Sequence, residues 1–149
     1  MREREVILAK LWELVAATSG VGRTARNPVT PPNENDMPCI NLFELDDLVD
    51  SSANRGASQY PAYKRTLSVV IEVFASGSSE AAATKALGLF VQEMKKKIYQ
   101  YGVSLGLANV EVLEESAGRI LHPPDMERTV GIGISLRIKY VEDVSKLFS

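Results

Sequence analysis

Arg65-Thr-Leu-Ser-Val-Val-Ile-Glu-Val-Phe74, with the turn Ala75-Ser-Gly77 and the run from Ser79 to Tyr101 behind it, is the stretch from which the fold can be read. Leu67, Val69, Ile71 and Val73 recur at a period of two, which predicts a strand with one face in a core. Thr66, Ser68 and Glu72 take the other face, together with Val70 and Phe74, so that face is partly covered. From Ser79 the period changes. Ala83, Leu87, Phe90, Val91, Met94, Ile98 and Tyr101 fall at steps of three and four and form one apolar helical stripe that can lie across the strand. Ser78 or Ser79 supplies an N-cap, Glu80 an acid in the first turn, and Lys95, Lys96 and Lys97 bases in the last, as the helix dipole favours. Gly88 lies mid-helix off the stripe, where a glycine costs about 1 kcal/mol against alanine; close approach of a neighbouring subunit is one reason to keep it.

Around this strand and helix the chain has one further helix and three further clear strands. Arg2 to Ala17 carries Ile7, Leu8, Leu11, Trp12, Leu14 and Val15 on a broad apolar face, ended by Gly20 and Gly22. Trp12 sits inside that stripe and is read as core. A short strand at Val21 to Ala25 precedes Asn27 to Pro38, which holds four prolines and several turn formers and is read as loop. Cys39 to Leu45 predicts a strand, and Asp46, Asp47 and Asp50 after it a solvated acidic loop, since they lack the spacing of a calcium loop. Ser51 to Lys64 is polar and predicts a long flexible loop or hairpin tip. Asn109 to Ser116 is a strand, Gly118 to Glu127 a loop, and Val130 to Tyr140 a half-buried antiparallel strand. In this last strand Ile132, Ile134, Leu136, Ile138 and Tyr140 alternate with Gly131, Gly133, Ser135, Arg137 and Lys139. Its two glycines mark a place where another group packs closely. The tail from Val141 to Ser149 is short and is read as mobile unless docked.

Composition bounds the function. The 149 residues, 45% hydrophobic and 24% charged, suit one domain, 1–149, with its own core. A net charge of -2 gives no general attraction to DNA or anionic membranes. No apolar run reaches the roughly 20 residues of a membrane span, and the acid-bearing N-terminus does not look like a signal peptide. Cytoplasmic synthesis is the expectation. The single cysteine, Cys39, lies between Pro38 and Ile40 and is read as buried and inert.

The usual chemical constellations are missing from the sequence. His122, the lone histidine, stands beside Pro123 and Pro124 in a loop and supports neither a metal site nor a triad. Gly133-Ile-Ser135-Leu-Arg137 begins like a nucleophile elbow but lacks the last glycine and lies within a strand. Glu111, Glu114 and Glu115 have no neighbours in sequence that would assign acid and base roles. A non-enzyme without catalytic residues, cofactor or metal is the reading.

The order of elements, with Met-Pro-Cys-Ile-Asn-Leu-Phe-Glu44 after a proline-rich loop, Arg-Thr-Leu-Ser-Val-Val-Ile-Glu-Val73 running into an alanine-rich helix, and Ile-Gly-Ile-Ser-Leu-Arg-Ile-Lys-Tyr140 at the close, resembles the tail terminator proteins of long-tailed bacteriophages, the family of minor tail protein U. The resemblance runs from about Val6 to Tyr140. It implies an α+β fold, with a mostly antiparallel sheet of about four strands packed against the N-terminal and central helices. It also implies a ring, usually of six copies, that caps the head-proximal end of the tail tube, ends tube polymerisation and meets the neck. Tail tube protein and a neck or head-completion protein would be the partners, the virion the location, and the host cytoplasm the place of assembly. DNA would pass through the lumen without sequence-specific binding. A basic bore would hold phosphates, so Glu44, Asp46, Asp47 and Asp50 are the candidate lumen-facing acids. Arg55, Tyr60, Tyr63 and Gly88 are candidate subunit contacts, and the segments 27–37 and 51–63 candidate flexible contact loops. Another head-tail connector, or a ferredoxin-like small-molecule-binding regulatory domain, would share many of these features.

Overall fold

The computed structural model describes residues 2–30, 32–54, 59–120 and 128–148. Two α-helices, α1 (Arg2–Ala16) and α2 (Glu80–Ile98), lie on one face of a mixed, mostly antiparallel sheet. Its strands are β1 (Arg23–Arg26), β2 (Cys39–Asn54), β3 (Pro61–Ser76), β5 (Glu111–Ile120) and β6 (Thr129–Asp143), in the order β1-β2-β3-β6-β5. A further short strand, β4 (Gln100–Val103), follows α2. The fold is α+β as expected, with five strands in the sheet instead of about four. No helix among the described residues is long and apolar enough to cross a membrane.

The period-two reading of β3 holds. Leu67, Val69, Ile71 and Val73 are all fully buried and meet Ala83, Leu87, Phe90, Met94 and Ile98 of α2 and Leu8 and Leu11 of α1 in one core. Trp12 and Val91 pack against its margin. In β6, Ile134, Leu136, Ile138 and Tyr140 face the same core. Ser79 is the N-cap of α2, its side-chain oxygen accepting from the Ala82 N–H at 3.1 Å. The helix stops earlier than its apolar stripe suggested: the Tyr99 N–H turns back to the Lys95 and Lys97 carbonyls, so Tyr101 leaves the stripe and is exposed in β4.

Four segments read as irregular contain regular structure. β2 does not end at Leu45 but runs sixteen residues to Asn54, and β3 begins at Pro61, so most of the expected 51–63 loop is two paired strand arms. The ladder with β3 supplies the order that the polar composition does not. At the C-terminus β6 continues to Asp143, and Val144–Phe148 form a 3-10 helix whose Phe148 ring stacks on Tyr60 at 4.8 Å. Gly118 to Ile120, expected in a loop, extend β5; His122 and the rest of that loop lie outside the described residues. In the segment 27–37, Glu34–Asp36 form a short 3-10 helix capped by Asn33. This segment is the return that lets β1 pair in parallel with β2. The ferredoxin-like alternative requires two β-α-β units. Here only α2 intervenes between described sheet strands, and the parallel pair is joined without an α-helix.

The close packing expected at the β6 glycines is found at the first of them. Phe74 stands directly opposite Gly131, and a Cβ built at Gly131 would come within 2.5 Å of the Phe74 ring; at Gly133 the nearest atom would be at 3.6 Å. Gly131→Ala is therefore expected to cost about 1–3 kcal/mol, and Gly133→Ala less than about 0.5 kcal/mol, in chemical denaturation. Ile71→Ala and Phe90→Ala, in the middle of the core, should each cost about 2–5 kcal/mol; a loss below about 0.5 kcal/mol would contradict the inward face assigned to β3 and α2.

Candidate functional site

The densest set of ionisable side chains in the described chain gathers where the apolar inner face of the sheet ends. Its placement starts with the backbone of β2. Glu44 pairs with Val69 and Asp47 with Leu67, so β2 spends three residues where β3 spends two. That extra residue is a β-bulge, and it resets the alternation. Without it Asp46 would follow Glu44 on the inner face; with it Asp47 does. Beyond Leu67 the inner face of β3 continues to Arg65, and that of β6 from Ile138 to Tyr140 and Glu142. The first turn of α1 brings Arg4 over them.

The contacts are close. The Tyr140 hydroxyl donates to Asp47 Oδ2 at 2.6 Å, and Arg65 Nε to Glu142 Oε1 at 2.9 Å. Arg65 Nη1 lies 3.6 Å from Asp47 Oδ1, and Arg4 reaches Asp47 at 3.5 Å and Glu44 at 3.7 Å. Arg26, at the end of β1, grips Glu44 with two hydrogen bonds of 2.8 and 3.2 Å, and the Asn27 side-chain amide donates to the same carboxylate. The side chains of Asp47 and Glu142 are only 5% and 4% exposed. Burial, then the bond to Asp47, holds the Tyr140 hydroxyl far above its ordinary pKa. Arg26, first through its hydrogen bond, holds Glu44 below the usual carboxylate range. Such a cluster joins α1, β1, β2, β3 and β6, and its charges are largely spent on one another.

This is a correction to the sequence reading of the acids. Asp46, Asp47 and Asp50 lie on a strand, not in a solvated loop, and two of the four candidate lumen-facing carboxylates, Glu44 and Asp47, are drawn into ion pairs. Asp46 and Asp50 remain exposed, Asp50 accepting from the Thr66 hydroxyl. The arginines and tyrosine that hold the other two lie 18 to 93 positions away in sequence, beyond the reach of any local motif. Likewise Glu114, which had no neighbour in sequence, pairs with Lys95 of α2 at 3.2 Å, and Glu80 at the other end of that helix pairs with Arg119 at 2.7 Å.

Of the candidate contact residues, Tyr60 stacks on Phe148, and Tyr63 lies under the Arg65 guanidinium at 5.5 Å. Gly88 is exposed, with open space where a Cβ would stand, beside Leu89, which is itself exposed. Arg55 lies outside the described residues. Cys39 is fully buried, and burial foremost pushes its thiol up to about 11. Among the described residues no group of three or more acids, histidines or cysteines is arranged to hold a metal.

Because both helices lie on one face, the other face of the sheet has no helical cover. It carries Phe43, Leu48, Thr66, Ser68, Val70, Ser135, Arg137, Lys139 and Leu113. Leu45, Leu48 and Val49 on the β2 arm are all exposed.

No protein-family model matches the chain, and no curated protein matches it. Among solved structures, a chain from the virion of a native gene transfer agent particle is similar over 89% of this chain and 84% of that one, at 12% identity and a TM-score of 0.40.

Asp47→Ala should cost about 3–5 kcal/mol, because it leaves Arg65 and the Tyr140 hydroxyl buried beside a void, whereas Asp46→Ala should stay within about 0.5 kcal/mol. Equal losses at the two neighbours in urea denaturation would contradict the bulge. The pH dependence has a definite sign: the lowered pKa of Glu44 gives stability that is present above the free glutamate value of about 4.3 and lost as pH falls through the folded value. Glu44→Gln should therefore flatten the acid limb of the stability curve. In the same way Cys39 should resist thiol reagents at pH 8 until the protein unfolds.

Proposed function

We propose that this chain is a structural subunit of a tailed-phage-type particle and acts as its tail terminator. In this reading, copies close into a ring at the head-proximal end of the tail tube, six being the number that the sequence resemblance implies. The ring ends tube growth, offers a surface to the neck and lets DNA pass without reading it. The subunit would be made in the host cytoplasm and reside in the virion.

The observation that carries the proposal is the one-sided cover of the sheet. A sixteen-residue strand extends about 50 Å, longer than the helices that cover it. It leaves three large apolar side chains of the β2 arm open to solvent, on a sheet with helices over one face alone. Apolar residues grouped in this way suit contact with other chains. The principal charge cluster supports the reading from the other side, because its carboxylates are already engaged by arginines and a tyrosine instead of facing a substrate cleft.

Light scattering with electron microscopy of the purified protein tests the proposal. The expected result is a closed multimer with a central opening, which caps and shortens growing tubes when added to tail tube protein. Rings that leave tube length unchanged would point instead to another head-tail connector. A monomer at all concentrations, with a melting point raised by a small ligand, would contradict the proposal.

A further inference from the structure

The end of the chain returns to the outer end of the long hairpin. β6 pairs with β3 as far as Asp143, opposite Ala62. There the Asp143 side chain fixes a turn, accepting from the Ser145 N–H at 3.1 Å and from the Ser145 hydroxyl at 2.5 Å. The five residues of the 3-10 helix Val144–Phe148 then pack back on β3. The Phe148 ring lies on the Tyr60 ring at 4.8 Å, with 19° between their planes, one residue before β3 begins. None of the five residues is buried, and Leu147 and Phe148 are 51% and 69% exposed. An aromatic stack shifts an equilibrium by about two- to twelvefold, so a substitution at Phe148 can loosen this strap without touching the core.

The hairpin needs help at this end. There β2 reads Ser51-Ser-Ala-Asn54, a run of low strand propensity that follows a second register shift, between Val49 and Ser51. Ser51 and Ser52 are exposed. Two strands of this composition do not hold themselves, and yet the ladder with β3 is complete as far as Asn54 opposite Pro61. What stands beside that ladder is the C-terminal part of the chain: β6 as a third strand, and the strap beyond it on Tyr60.

We infer that the C-terminal strap is a clasp, with Phe148 as its closing residue and Tyr60 as its seat, that orders the outer end of the β2–β3 hairpin before assembly. A contact segment ordered in advance does not have to be ordered on binding, so the closed clasp lowers the concentration at which the hairpin engages its partner. On the ring reading, that partner is a second copy of the chain. Phe148 thus acts on assembly through Tyr60 and the hairpin, as a positioning residue.

Two variants of the full chain test the clasp. Phe148→Ala should leave the melting point unchanged and speed amide exchange at Ser52, Ala62 and Tyr63 at least about twofold. It should also raise the concentration needed for assembly by about two- to twelvefold, and Phe148→Trp should restore both readouts. Tyr60→Cys with Phe148→Cys, bridged by a short bis-thiosulfonate, should assemble as the wild type does and lose that ability when reductant cleaves the bridge; the native thiol of Cys39 is buried and stays silent. Unchanged exchange at the hairpin end in Phe148→Ala, or unchanged assembly of that variant, would overturn the clasp and leave the ring intact. Bridged protein that fails to join while the cleaved form joins would overturn it as well, because the strap would then have to open. Wild-type protein that stays monomeric would overturn the ring reading, and the exchange measurement would then decide the clasp alone.

Discussion

One extra residue in β2, between Glu44 and Asp47, holds the architecture together at its polar end. It keeps two carboxylates in succession on the inner face, where alternation alone would have turned the second outward. There Arg4, Arg65 and the Tyr140 hydroxyl reach them, so the first turn of α1, the base of the long hairpin and the end of β6 are fixed to one another. A buried ion cluster adds less net stability than apolar packing of the same volume. What it adds is direction: no α-helix covers the arms beyond it, which are held by this joint and by the Phe148 ring on Tyr60.

The remainder follows from one-sided packing. α1 and α2 share a single core with the inner face of β3 and β6, and two ion pairs, Lys95 to Glu114 and Arg119 to Glu80, pin α2 across the edge strand β5. No α-helix of the described chain covers the opposite face. The leucines exposed on the long β2 arm are what the proposed assembly would cover. In the proposed ring, local charge pairs would make each subunit rigid and the apolar arms would link it to the next.

Much of this was legible in the residues. Period two in β3 and β6, the helical stripe of α2 and its serine cap, and the glycine that admits Phe74 are local signals, and each appears where its pattern placed it. What was not legible depends on partners distant in sequence. β2 beyond Leu45 reads Asp-Asp-Leu-Val-Asp-Ser-Ser, a poor strand by composition that β3 holds by pairing. Glu44 and Asp47 look like surface acids until Arg26, Arg65 and Tyr140 are brought beside them. The short strand read at Val21 to Ala25 is found as β1, but its parallel pairing with Cys39 to Leu42 had no local signal. The tail reads as mobile unless docked, and it is held by the pairing of β6 with β3 as far as Asp143, by Glu142 on Arg65 and by the Phe148 ring on Tyr60.

Hydrogen exchange, compared between the isolated subunit and the assembled particle, tests the central claim most directly, since it reads each surface separately. Amides of the exposed Leu45 to Asp50 arm should slow on assembly, with those of α2 unchanged. Assembled particles in which this arm exchanges as fast as in the free subunit would contradict it.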